Sequence, residues 1–225
     1  VGIGLDVVTE RDVLAHVQMD RSENEASEHL IAESSLPAGS ALGAGFIGEI
    51  KKRQVSMLHS LNRHVPLGTL LGDRWQLAER LGFGEGASVY DESLILGEVQ
   101  VGRHCWIGPF TVLDGSGGPV MVGDWTSIGT GTQIYTHNTI DLTLSGGRAA
   151  RFTAATTIGS RCFVGPMSVI APGSRVGDQC IVASGSYVEG DFPARSIISG
   201  SPGRIVGTIE IQGARVVKNM KRDNY

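Results

Sequence analysis

From residue 87 to residue 188 an aliphatic side chain returns every sixth position with few breaks. Val89, Ile95, Val101, Ile107 and Leu113 form one run, Val122, Ile128 and Ile134 a second, and Ile158, Val164, Ile170, Val176, Val182 and Val188 a third. Two residues before each stands a small or β-branched side chain, as at Ala87, Ser93, Cys105, Thr111, Thr126, Thr132, Thr156, Ser168, Ser174 and Ser186. The residue after the aliphatic is often glycine, as at Gly102, Gly108, Gly123, Gly129, Gly159, Gly165 and Gly177, where a chain turning a corner can need positive φ. Each six-residue unit therefore reads as one short strand and one corner.

A period this short predicts a solenoid, because such a unit cannot bury its own apolar face and must stack on its neighbours. Three units close one triangular coil. The aliphatic points inward, and the small residue two places earlier fits where walls converge, a place that a larger side chain would overpack. A sandwich would instead alternate with period two and break about every 8 to 12 residues.

The repeat breaks in two places. After Leu113 the next aliphatic is Val122, one unit plus three residues on, and DGSGG at residues 114–118 supplies the bulge. From His137 to about Ala155 the rule fails altogether. That stretch reads as an excursion loop, and long loops in compact folds tend to be functional. A rigid wall and a mobile flap are expected to meet at His137.

With these segments the chain resembles the hexapeptide-repeat acyltransferases, whose fold is a left-handed parallel β-helix. The stretches VGDWTSIGTGTQIYTHNTID (122–141) and TTIGSRCFVGPMSVIAPGSRVGDQCIVASGSYV (156–188) are similar to the maltose and galactoside O-acetyltransferases and their surface-polysaccharide relatives. The exit DFPARSIISGSPGRIVG (191–207) is similar to that family's usual one. The implied architecture is mainly β, a left-handed β-helix over residues 87–207. Before it come a helical cap over 46–86 and a small N-terminal appendage over 1–45; a C-terminal tail over 208–225 follows.

The resemblance implies that His137 is the general base of a sugar O-acetyltransferase. An alcohol is a poor nucleophile near neutral pH, and imidazole can take its proton as it attacks a thioester. Asp114, Asn138 or Asp141 could orient the ring or hold the acceptor. The donor it implies is acetyl-CoA, lying along Ser168, Ala183, Ser184 and Gly185, with Phe163 lining the site and Arg195 and Arg204 meeting phosphates. A sugar or sugar-nucleotide acceptor and a homotrimer with shared sites complete that picture. N-acylation of an amino-sugar nucleotide and a non-catalytic scaffold remain the alternatives.

Ahead of the coil, Ile50, Met57, Leu58 and Leu61 share one helical face, up to Pro66 and Gly68, which are expected to stop that helix. A second helix should open at Asp73, with Gln76 three later, and close at Gly82. Together the two would cover the open first coil, otherwise a bare sheet edge.

Composition narrows the function. Glycine, 32 of 225 residues, is about double the usual share, which the corners account for. Nineteen basic against 23 acidic side chains give a net charge of −4, and no basic patch is interleaved with aromatics, which argues against nucleic acid. No apolar run reaches the ~18 residues of a membrane span and no secretory signal is recognised, so a cytoplasmic location is expected. Cys105, Cys162 and Cys180 all take the small inward position, an odd count without C-x-x-C spacing, so buried thiols rather than disulfides or a metal site are expected.

Overall fold

The computed structural model describes residues 41–221, and most of the segment set apart as an N-terminal appendage lies outside the described residues. The chain divides into two compact units, one ending at Arg63 and the other running from His64. Of the first, one helix is described, α1 (Ala41–Leu61). It ends at Asn62, in the left-handed region with φ 49°, whose N–H donates to Leu58 O at 3.0 Å. The stop expected at Pro66 is therefore made earlier. Pro66 instead caps a short helix, α2 (Leu67–Leu71), where its fixed φ and missing N–H cost nothing.

The next helix, α3 (Arg74–Arg80), starts and stops as its sequence predicts. Asp73 accepts from the N–H groups of Trp75 and Gln76, at 2.9 and 3.0 Å. Gly82, at φ 72°, lets Phe83 N–H return to Ala78 O at 3.0 Å, a Schellman closure. Ala78 and Phe83 then bury against Ala87 and Val89, so α3 covers the first coil.

The second unit is a parallel β-solenoid of three walls. The first stacks Ser88–Val89, Trp106–Ile107, Ser127–Ile128, Phe163–Val164, Ile181–Val182 and Ser196–Ser199. The strands Leu94–Val101 and Val112–Val122 each bend through the second and third walls, with a register shift between Gly97 and Val99. The second wall continues with Gln133–Tyr135, Val169–Ile170 and Tyr187–Val188. The third continues with Thr156–Ile158, Arg175–Val176 and Asp191–Phe192. Registers align the aliphatics in columns. One column runs Val89, Ile107, Ile128, Val164, Val182 and Ile198, another Ile95, Leu113, Ile134, Ile170 and Val188. The third ends at Phe192, which takes the place of an aliphatic on the last rung.

The small inward residues have a polar task as well as a steric one. Thr126 Oγ1 donates to Gly159 O at 2.7 Å, and Ser168 Oγ to Gly165 O at 2.8 Å. The three thiols do the same: Cys105 faces Gly123 O at 3.1 Å, Cys162 Gly177 O at 3.1 Å and Cys180 Pro193 O at 3.2 Å. Buried corner carbonyls are thus satisfied from within.

The repeat glycines serve another purpose than the expected one. None of Gly102, Gly108, Gly123, Gly129, Gly159, Gly165 and Gly177 has positive φ. Each lies where the backbone of the next coil closes in. A Cβ on Gly123 would sit 2.6 Å from Ser160 N, and one on Gly165 2.5 Å from Ser184 N. Positive φ falls two residues further on, at His104, Phe110, Trp125, Gly131, Arg161, Met167 and Gln179, and at the equivalent corner positions Gly185 and Arg195.

Residues 204–220, which run into the stretch expected to be a tail, form a hairpin. Arg204–Gln212 pairs antiparallel with Ser196–Ser199 and with Arg215–Met220. The last strand of the first wall therefore gains an antiparallel partner.

Candidate active site

The bulge and the excursion meet at one corner, between the second and third walls. The excursion is more ordered than a simple flap. His137 and Asn138 pair antiparallel with Thr153 and Phe152, closing a stem. Above it lies a helix, α4 (Ile140–Leu144), entered through Asn138, whose Oδ1 accepts from Ile140 N–H at 3.1 Å. Arg151 ties the returning strand to the bulge through Ser116 O at 3.1 Å.

Thr136 anchors the histidine. Its Oγ1 donates to Asp114 O at 2.7 Å and accepts from Gly117 N–H at 3.0 Å, fastening the wall to the bulge. Gly117 is required here, since its Cβ would stand 2.6 Å from that of His137. Half-buried His137 then turns Nδ1 toward the buried carboxylate of Asp114, with Nδ1 to Oδ2 at 3.6 Å. Nδ1 is buried and has no hydrogen-bond partner among the described residues. The other carboxylate oxygen accepts from Ser116 N–H at 3.0 Å and from the Ser116 hydroxyl. Asp114 is thus fixed on one side and free to meet an imidazole on the other.

Of the three candidate partners of His137, the structure brings Asp114 to it. Asn138 is occupied with the start of α4, and Asp141 lies exposed in that helix's first turn. Ser116, which sequence reasoning did not single out, holds Asp114. Its signal was only its place in the bulge.

The residues expected to hold the donor lie away from this corner. Phe163 projects half-exposed from the first wall. Together with Ile181, Ile209, Ile211 and Val216 it lines a groove of about 470 Å³ beside the hairpin. Ser168 is buried and its hydroxyl is spent on Gly165 O and Ala183 O. Ala183 N–H donates to Ile198 O at 2.8 Å. Ser184 and Gly185 are exposed at the corner between the first and second walls. Arg195 is exposed and donates to Gln179 Oε1 at 3.0 Å, while Arg204 donates to Gly203 O at 2.9 Å. Among the described residues no three His, Cys, Asp or Glu side chains are grouped to hold a metal, and no helix is long and apolar enough to cross a membrane.

A three-walled coil with a six-residue repeat, interrupted once by a histidine excursion, defines the class: a hexapeptide-repeat solenoid. Residues 155–190 match the family described as bacterial transferase hexapeptide (six repeats), and the chain carries that family's repeat. The carnitine operon protein CaiE of Proteus sp. (strain LE138) is 29% identical over 132 residues, 56% of this chain and 66% of that protein. The chain thus spans just under two thirds of that relative. Among solved structures, a hexapeptide-repeat acetyltransferase from Vibrio cholerae, complexed with acetyl-CoA, is 23% identical, with a TM-score of 0.49 over 76% of this chain and 91% of that one. A mutant of AntD, an N-acyltransferase from Bacillus cereus in complex with dTDP and coenzyme A, is 18% identical, with a TM-score of 0.50 over 65% and 89%.

Proposed function

We propose that the protein is an acyltransferase that moves acetyl from acetyl-CoA to a sugar hydroxyl, with His137 as general base. The observation that carries this is the buried Nδ1 of His137 directed at the Asp114 carboxylate. A proton on Nδ1 facing Asp114 leaves the lone pair on Nε2, the nitrogen that can take a proton from an acceptor. The hydroxyl oxygen attacks the thioester carbonyl as Nε2 takes its proton. The tetrahedral adduct then expels the CoA thiolate, which recovers that proton from the imidazolium. Asp114 stabilises the transient cation, and no acyl-enzyme forms.

In this reading the active site is shared between copies in a homotrimer, with cytoplasmic acetyl-CoA as donor. The outer face of the second wall and its far corner expose Leu94, Leu96, Phe110 and Met167. His137 stands at one edge of that wall, and Gly185 lies in the corner column of Phe110 and Met167 at the other. Copies packed across this face bring one chain's histidine to its neighbour's Ser184 and Gly185, and the donor lies between them.

N-acylation of an amino-sugar nucleotide is the second reading, favoured by the dTDP and coenzyme A held in the AntD structure. The test is CoA release from acetyl-CoA across a panel of sugars, amino sugars and their nucleotides. Release stimulated by a hydroxyl acceptor supports the first reading, and release confined to an amine supports the second. No stimulation by any acceptor in the panel counts against both.

A further inference from the structure

One corner of the coil, remote from His137, carries a column of planar side chains held in the left-handed region: His104, Trp125, Arg161, Gln179 and Arg195, with φ from 56° to 63°. The coil takes the same angle at its next corner, at Phe110, Gly131, Met167 and Gly185, so what marks this column is its run of planar side chains. The column is closed at both ends. His104 packs against Trp125 with ring centroids 4.3 Å apart and ring planes tilted by 32°, and Arg195 Nε donates to Gln179 Oε1 at 3.0 Å. Trp125 and Arg161 stand on successive rungs, with no cation–ring contact between them among the described residues. A cleft of about 640 Å³ opens beside them, lined by Trp125, Arg161, Ser160, Arg103 and Asp124.

The chemistry of the lining is specific. Trp125 is 63% exposed, with His104 packed against its indole. Both oxygens of Asp124 are taken by Arg103, through its N–H at 2.8 Å and its guanidinium at 2.8 Å, so the cleft's uncompensated charge is the Arg161 cation. An exposed indole beside a guanidinium suits a flat aromatic ring, which stacks on the indole. The same guanidinium can fork onto a phosphate. The volume falls within the range of small-molecule sites.

We propose that this cleft binds a nucleotide, with its base on the indole of Trp125 and a phosphate on Arg161. The source of the ligand rests on the transfer reaction proposed above, but binding itself needs neither His137 nor turnover and is tested without them. Two sources share the chemistry: the adenosine bisphosphate end of coenzyme A, and the nucleoside diphosphate of a sugar-nucleotide acceptor.

Titration calorimetry on the full chain, with adenosine 3′,5′-bisphosphate, UDP and inorganic phosphate as probes, tests it. At least one nucleotide should bind, with affinity falling tenfold or more in Trp125→Gly and in Arg161→Gln and unchanged in His137→Ala. Both variants should fold, because glycine fits φ 59° without strain and Gln179 already holds the equivalent corner; circular dichroism checks this. Tighter binding of the bisphosphate assigns the site to the donor, and tighter binding of UDP assigns it to the acceptor. Failure of both nucleotides to bind at millimolar concentration overturns the proposal. So does inorganic phosphate binding as tightly as a nucleotide, or affinity indifferent to both substitutions.

Discussion

Asp114 Oδ2 lies 3.6 Å from His137 Nδ1, although 22 residues of chain separate them and no hydrogen bond yet joins them. The pair exists because Asp114 pairs with Tyr135 on the adjacent rung, two residues before the histidine. If Asp114 positions the ring, Asp114→Asn should lower kcat by about 10 to 10³-fold with KM for acetyl-CoA nearly constant. A merely structural role would show instead as a lower melting temperature with kcat intact.

His137→Ala should fold normally, since the residue starts an excursion and takes no part in the aliphatic columns. Transfer to a hydroxyl should fall by about 10² to 10⁴-fold. Steady-state kinetics on the identified acceptor decide it, and wild-type turnover by the folded variant would end the assignment of the base.

Gly123→Ala and Gly185→Ala separate the two kinds of glycine. At Gly123 the new methyl meets Ser160 N at 2.6 Å, backbone that cannot step aside, so overpacking of about 1–3 kcal/mol is expected. At Gly185 the surroundings are open and only φ 71° opposes the methyl, so the loss should be smaller, about 1 kcal/mol. Denaturant midpoints of the two variants would rank them.

The cysteines should be inert in the folded protein. Burial pushes the Cys105 thiol above its ordinary value of 9.0, and the hydrogen bond with Cys180, together with burial, pushes Cys162 up. Folding therefore favours the protonated thiols of Cys105 and Cys162, whose contribution is whole below about pH 9 and declines as pH rises beyond it. The same hydrogen bond draws its other partner, Cys180, down to about 7, and burial rather than protonation shields that thiol. A disulfide reagent at pH 8 should label none of the three until denaturant is added. Cys162→Ser and Cys180→Ser should retain activity, because Ser168 and Ser186 already make the same inward bonds.

Light scattering should find a trimer. Phe110→Glu with Met167→Glu should dissociate it and lower activity together, if those exposed side chains lie in the shared face. Full activity from a monomer would remove the shared site.

The columns of the coil could be read from the sequence because the period repeats in one chemical class, Val, Ile or Leu. Phe192 and Ile198 escaped because the last units depart from six residues. The left-handed corners were invisible for the opposite reason. His104, Phe110, Trp125, Arg161, Met167 and Gln179 share a backbone angle and no chemistry. Glycines drew that role instead, although crowding by the neighbouring coil is what requires them. The place of His137 at a corner could be read from the break in the repeat, whereas its role as base rests on the resemblance. Asp114 was one of three candidate neighbours, and rung stacking, not spacing along the chain, is what brings it rather than Asp141 to the ring.

The corner column also behaves as a screw thread. Each full coil advances about 4.8 Å and, where uninterrupted, consumes 18 residues, as from Ile107 back to Val89 or from Val164 to Val182. Inserting 18 repeat-like residues would lengthen the thread by one pitch and leave every column in phase. Inserting six would move each later residue one wall around, separating Trp125 from Arg161 and Asp114 from His137 if placed between them. Diversity in such a chain is therefore free at the corners and quantised along the axis.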